Sequence, residues 1–254
     1  WLSQLKSDKT ILEQALNASP EYVFPFRSET KILLEELLQT NSNWKLKYYL
    51  ALIDWHLGLT ENAKKLFEAC GNEPGFAPFY LAKAALFSGN MMVEKESVER
   101  ATQLNPSDWR AGLALINYCS ETRNFEKSKS TALRFFEMNP ENSVFALEYA
   151  RALLNLKEFE KGIGFLEKIN ILPCEGSTDG KAIFTELCTR KALDDFAGKH
   201  YKNAIVFAEK AKEWPVNLGS GSPYNTDVRL QDFLIANTLL KMKRQKEGNV
   251  YFQK

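Results

Sequence analysis

Leu104-Asn105-Pro106 recurs 34 residues on as Met138-Asn139-Pro140, and Leu172, a further 34 on, again precedes a proline, Pro173. Phe125 and Phe159 keep the same interval. A fixed period of this length signals a chain of stacked helix pairs, because one pair cannot bury its apolar face alone and must lay it on the next. The sequence therefore predicts an all-α, right-handed solenoid of helix hairpins. Such an architecture points to binding before catalysis.

The units can be read outward from that period. From Gly75 to Asp108 a first helix carries Phe79, Leu81, Ala82 and Ala85, Gly89-Asn90 breaks it, and a second carries Val98, Ala101 and Leu104. These apolar spacings are helical, and proline, lacking an amide donor, ends the second helix. Trp109 to Asn142 repeats the plan with Leu113, Leu115 and Ile116, a turn at Arg123-Asn124, then Phe135 and Met138. A third unit, Ser143 to about Pro173, has Leu147, Tyr149, Ala150 and Leu153, then Leu166 and Ile169.

These residues resemble the tetratricopeptide repeat, whose hairpin has an apolar-small pair in its first helix, an Ala or Gly in its second and a closing proline. Trp44 to Pro74 resembles it at Leu50-Ala51, Gly58, Ala63 and Phe67, and Thr185 to Pro215 at Leu193, Tyr201, Ala204, Ala208 and Ala211. Tyr201 lies 42 residues after Phe159, so eight extra residues are expected, with the Gly- and Ser-containing Cys174 to Gly180 as a loop. The division that follows is a single solenoid over 1–254. Residues 1–43 hold N-terminal helices and an aromatic-proline junction, Tyr22-Val23-Phe24-Pro25-Phe26, read as a packing device at a helix corner. Four regular repeats fill 44–173, one repeat after the insertion fills 174–215, and a loop with a truncated last repeat fills 216–254. In that last repeat Gly248 and Phe252 are expected at the small and aromatic positions. The junction, the Asn217-Leu218-Gly219 loop and the repeats together resemble the C-terminal repeat region of large bacterial proteins that carry an upstream β-rich domain of unknown function. The first residue is Trp, which fits a piece of a longer protein.

Charge narrows the partners. The 33 Lys and Arg nearly balance the 32 Asp and Glu and are interspersed with them, which disfavours nucleic acid and anionic membranes. No apolar run reaches the roughly 20 residues of a membrane span. The four cysteines show no C-x-x-C pairing and read as small apolar residues in helix packing, which favours a reducing, cytoplasmic setting. In an oxidising one, Cys174 and Cys188 could bridge.

The residue types for chemistry are sparse. His56 and His200 have no second ligand at helical spacing, so no metal or other cofactor is expected. Adjacent carboxylates such as Glu35-Glu36 and Asp194-Asp195 point about 100° apart on a helix and cannot face one substrate. Gly219-Ser220-Gly221 lacks the flanking strand and helix of a phosphate loop. The fragment reads as no enzyme.

The resemblance puts the working surface on the first helices, in the concave groove. It implies exposed positions at Tyr48, Leu52, Trp55 and His56, at Phe79, Lys83 and Phe87, at Leu113, Asn117 and Glu121, and at Leu147, Arg151 and Asn155. Lys83, Asn117 and Arg151 would form a polar ladder for a peptide backbone or carboxylate, beside an apolar pocket of Tyr48, Trp55 and Phe79. The expected function is docking of a protein, a peptide or an upstream domain of the same chain. A carbohydrate-binding accessory region and an oligomerisation arm are the two alternatives.

Overall fold

In the computed structural model, which describes residues 9–252, the second helices start at Thr60, Met91, Phe125, Phe159, Tyr201 and Gln245. The 34-residue step is kept from Met91 to Phe125 to Phe159. The fourteen α-helices of the described residues are α1 (Lys9–Asn17), α2 (Ser28–Leu38), α3 (Trp44–His56), α4 (Thr60–Ala69), α5 (Ala77–Leu86), α6 (Met91–Leu104) and α7 (Trp109–Glu121), then α8 (Phe125–Met138), α9 (Ser143–Asn155), α10 (Phe159–Leu166), α11 (Asp179–Ala197), α12 (Tyr201–Lys210), α13 (Arg229–Lys241) and α14 (Gln245–Phe252). A 3-10 turn at Val216–Leu218 precedes α13, and the described residues contain no strand. The fold is an all-α array of helical hairpins of the solenoid class. It divides into two compact units, Trp1–Tyr118 and Cys119–Lys254, with the boundary inside α7.

The hairpin turns explain the period. In five of them the residue two before the second helix is left-handed: Gly58 at φ 78°, Arg123 at 58°, Lys157 at 60°, Lys199 at 62° and Lys243 at 62°. The next amide in each then reaches back five residues, as from Leu59 to Asp54 at 2.8 Å, Glu158 to Leu153 at 2.9 Å and Arg244 to Leu239 at 2.9 Å. This is the Schellman closure, which satisfies the last carbonyls of the first helix and fixes the angle at which the second departs. Asparagines cap helix starts: Asn43, Asn90, Asn124 and Asn142 accept from the amides of Lys45, Val93, Lys127 and Val144.

One turn differs. Between α5 and α6 four residues, Phe87 to Asn90, replace the usual three, and Asn90 donates to Phe87 in place of the closure that reaches back five residues. The buried face of α5 is thereby out of step with the 34-residue period. Ala77, Tyr80 and Ala84 correspond in burial to Gly112, Leu115 and Cys119, a step of 35 residues (112 − 77, 115 − 80, 119 − 84).

In the N-terminal unit an aromatic core joins α3, α4 and α5. The Phe79 ring has centroid distances of 5.4 Å to Tyr48, 5.1 Å to Phe67 and 5.0 Å to Tyr80. A second cluster packs α2 on α3 through Leu34, Leu37, Leu46, Leu50 and Ile53. Asp54, buried in α3, is met by Lys31 of α2 at 2.6 Å. Lys45 donates to the carbonyls of Leu16 and Ala18, capping the C-terminal end of α1. The junction from Tyr22 to Phe26 is not a packing device: Tyr22 and Phe24 are 83% and 76% exposed. The turn and extended segment that carry them hold these rings away from the α2/α3 cluster.

In the C-terminal unit α9 packs on α8 and α10, α11 on α10 and α12, and α13 on α12 and α14. Small residues allow the close approaches. At Gly162 an added Cβ would lie 2.8 Å from the Leu187 side chain, and at Gly248 it would lie 3.1 Å from the Ala236 carbonyl. Gly248 thus holds the small position, while Tyr251, and not the exposed Phe252, packs inward and donates to Glu209 at 2.8 Å.

The third period closes differently from the first two. The second helix stops at Leu166, so Ile169, Leu172 and Pro173 lie in extended chain and Leu172 is 81% exposed. Asn217 accounts for the early stop: its amide nitrogen donates to Leu166 at 2.8 Å and Ile169 at 2.7 Å. Its carbonyl accepts from the Ile171 amide at 2.8 Å. The extra residues are also not all loop, since α11 begins at Asp179 and runs 19 residues against 13 in α9.

Candidate functional site

A binding face needs side chains that the hairpin packing leaves outward. In the C-terminal unit the first helices α9, α11 and α13 repeat one pattern, counted back from the second helix. Six residues back stand buried Leu153, Asp195 and Leu239, and nine back the fully packed Ala150, Ala192 and Ala236. Eight back the row turns outward: Arg151 and Leu193 are exposed and Asn237 half-buried. One turn toward the N-terminus of α13, Phe233 is 59% exposed and sets its ring edge-on to that of Phe252 at 6.0 Å.

Arg151 is the one cation of this row. Its guanidinium lies 3.4 Å from Glu148 on its own helix and 3.4 Å from Asp179 at the start of α11. Glu148 is half-buried, and burial pushes its carboxyl above the ordinary range against the opposing pull of Arg151. The guanidinium therefore sits between a carboxyl reluctant to ionise and an exposed aspartate. The exposed pair with Asp179 contributes only about 0–1 kcal/mol, so it is readily exchanged for a ligand carboxylate.

The N-terminal unit places the other expected residues as follows. Tyr48 and Phe79 belong to the aromatic core, 6% and 0% exposed, and do not line an open surface. Phe87 is likewise buried. Trp55 is half-buried against that core and His56 is exposed at the end of α3. Asn117 is exposed on α7. Lys83 is not equivalent to Asn117 and Arg151, because the extra residue in the α5/α6 turn rotates it by about 100°. It borders instead a polar cavity of about 380 Å³ with Tyr80, Ser97 and Arg100 on the flank of its own hairpin. The half-buried Ala82 takes the groove position of α5. Leu193, Phe233 and Asn237 are the residues that sequence reasoning passed over. Their signal was present: each is placed by counting back from the second helix, Tyr201 or Gln245.

His200 sits in a hairpin turn with Nδ1 3.6 Å from Asp195. Among the described residues no group of three or more His, Cys, Asp or Glu side chains could hold a metal ion, and no helix is long and apolar enough to cross a membrane.

The sequence matches no protein-family model and no curated protein. Among solved structures, a chain of the Naa15/Naa10 assembly bound to HypK-THB is 18% identical, with a TM-score of 0.60 over 87% of this chain and 32% of that one. The pilF protein of Pseudomonas aeruginosa is 15% identical, with a TM-score of 0.43 over 82% of this chain and 88% of that one. The type IV pilus biogenesis factor PilW is also 15% identical, with a TM-score of 0.42 over 84% and 94%. The present chain thus spans about a third of the first of these. That first likeness concerns the fold, and supports a tetratricopeptide-like helical repeat.

Proposed function

We propose that this chain is a non-catalytic protein-interaction module whose C-terminal unit binds an extended peptide, or an exposed segment of another domain, along Arg151, Leu193 and Asn237. The observation that carries the reading is the outward row at one position of three consecutive first helices, next to an exposed Phe233. The row offers a guanidinium for a carboxylate, an apolar side chain and a carboxamide for backbone groups, which is the mixture that recognises peptide. The balanced charge of +1 gives no general attraction to polyanions, so a specific protein surface fits better than nucleic acid or membrane. An upstream domain of the same chain is one such protein surface.

The test is a peptide-display selection against the folded chain, followed by titration of enriched peptides into wild type, Leu193→Asp and Arg151→Ala, each shown by circular dichroism to be equally helical. Loss of a desolvated apolar contact and of one charged hydrogen bond should each weaken binding roughly tenfold or more. Peptides that bind all three proteins equally would remove the row from the reading.

A further inference from the structure

A second place in the C-terminal unit has the chemistry of a small-molecule site, and it is separate from the row just described. Thr178 and Val228, the residues immediately before α11 and α13, border a cavity of about 390 Å³, with Ala182, Ala211 and Trp214 along its wall. That volume falls in the range of small-ligand pockets, roughly 300–1,000 Å³.

Four ionisable side chains line it, and three are already neutralised. Glu186 is held by Arg190 at 2.6 Å, Asp227 by Arg229 at 2.7 Å, and Lys212 by Asp232 at 2.6 Å. The fourth is Lys181, only 6% exposed, which has no carboxylate partner among the described residues. Its ammonium donates to the Thr185 hydroxyl at 2.6 Å and the Ala211 carbonyl at 2.9 Å, and stands 5.0 Å from the centre of the Trp214 ring. Burial holds its pKa below the ordinary lysine value, against the opposing pull of the Glu213 carboxylate, which is not in contact with it. The indole N–H of Trp214 is buried and meets no acceptor among the described residues. An orphan donor of this kind is a cost that an acceptor entering the cavity would relieve. The starts of α11 and α13 add the positive ends of two helices.

We infer that this cavity binds a small monocarboxylate with an apolar body, one carboxylate oxygen taken by the Lys181 ammonium and the other by the Trp214 indole N–H. A single negative charge matches the one lining ammonium that no carboxylate contacts, whereas a dianion such as phosphate would carry an excess charge into a wall of Ala182, Ala211 and Val228. The apolar body lies on that wall and on the indole face.

The probe is 3-phenylpropionate, titrated into the whole chain by calorimetry and by the indole N–H signals of its five tryptophans, with that of Trp214 identified by its loss in Trp214→Phe. The expected result is saturable one-to-one binding that shifts the Trp214 signal. Lys181→Met, which fills similar space without charge, weakens binding roughly tenfold or more, and Trp214→Phe, which keeps a ring but no donor, weakens it by a smaller factor. If Lys181→Met does not fold, Trp214→Phe carries the test. Equal binding of neutral 3-phenylpropanol, equal or tighter binding of inorganic phosphate, absence of saturation at millimolar probe, or a shift confined to other indoles would each overturn the assignment. Leu193→Asp leaves this binding unchanged while weakening that of the peptide, so the two sites fail or survive independently.

Discussion

At the scale of single residues, the repeat depends on one backbone conformation that most side chains avoid. Gly58 adopts it at no steric cost, while Arg123, Lys157, Lys199 and Lys243 adopt it under strain and leave their long side chains in solvent. Gly58→Ala should therefore cost about 1 kcal/mol in urea unfolding, although the space around an added methyl is open. Gly164, inside α10 and equally uncrowded, has ordinary helical backbone, so Gly164→Ala should stabilise by up to about 1 kcal/mol. Two substitutions of identical chemistry then have opposite signs, decided by φ alone. Equal signs would refute the turn geometry. These turns also show why Lys83 misled: a residue count alone cannot distinguish a three-residue turn from a four-residue one, and one residue moves a side chain by more than a quarter of the helix circumference. Tyr48 and Phe79 misled for a related reason, since a large ring at a groove position and a large ring in the interhelix core have the same spacing in sequence.

At the scale of elements, helix existence was legible and helix length was not. The breaks expected at Gly89-Asn90 and Arg123-Asn124 do separate helices, and the second-helix starts Met91, Phe125 and Phe159 keep the 34-residue step. The end of α10 was hidden, because the group that sets it lies about fifty residues away in sequence. Asn217 donates to both Leu166 and Ile169, and Gly219, left-handed at φ 70°, lets its loop come within van der Waals contact of Ile171. A long-range cap of this kind leaves no local mark beyond the asparagine itself. Asn217→Ala should destabilise the chain by about 2–3 kcal/mol, since two carbonyls lose their donors. Asn217→Asp should be worse, because its carboxylate accepts where a donor is required. Thermal melting orders the three proteins, and amide exchange should show the loss concentrated at the end of α10. An effect of Asn217→Ala below about 0.5 kcal/mol would mean that water replaces the cap without loss.

At the scale of the whole molecule, composition is consistent with the architecture, and the four cysteines are where that can be read out most simply. Read as small apolar residues, three of them are that: Cys70, Cys119 and Cys188 are 1%, 2% and 0% exposed, in α3–α7 and α9–α12 packing. Cys174 is exposed in the chain before α11, and none of the four is in a disulfide, so the bridge to Cys188 conceivable from sequence is not formed. Burial pushes the thiols of Cys70 and Cys188 up to about 12, and Cys70 also donates to the Leu66 carbonyl at 3.3 Å. A raised thiol pKa favours the neutral form, and the thiolate is the species that attacks disulfide reagents. At pH 8 the native chain should therefore release one equivalent from an aromatic disulfide reagent within minutes and four only after denaturation in guanidinium. Moving from pH 8 to pH 9 should bring in neither Cys70 nor Cys188, because both pH values lie far below about 12. A second fast thiol would show that one of the helix stacks opens in the native state. The unit it opens in follows from which cysteine is labelled, since Cys70 belongs to the N-terminal unit and Cys119 and Cys188 to the C-terminal one.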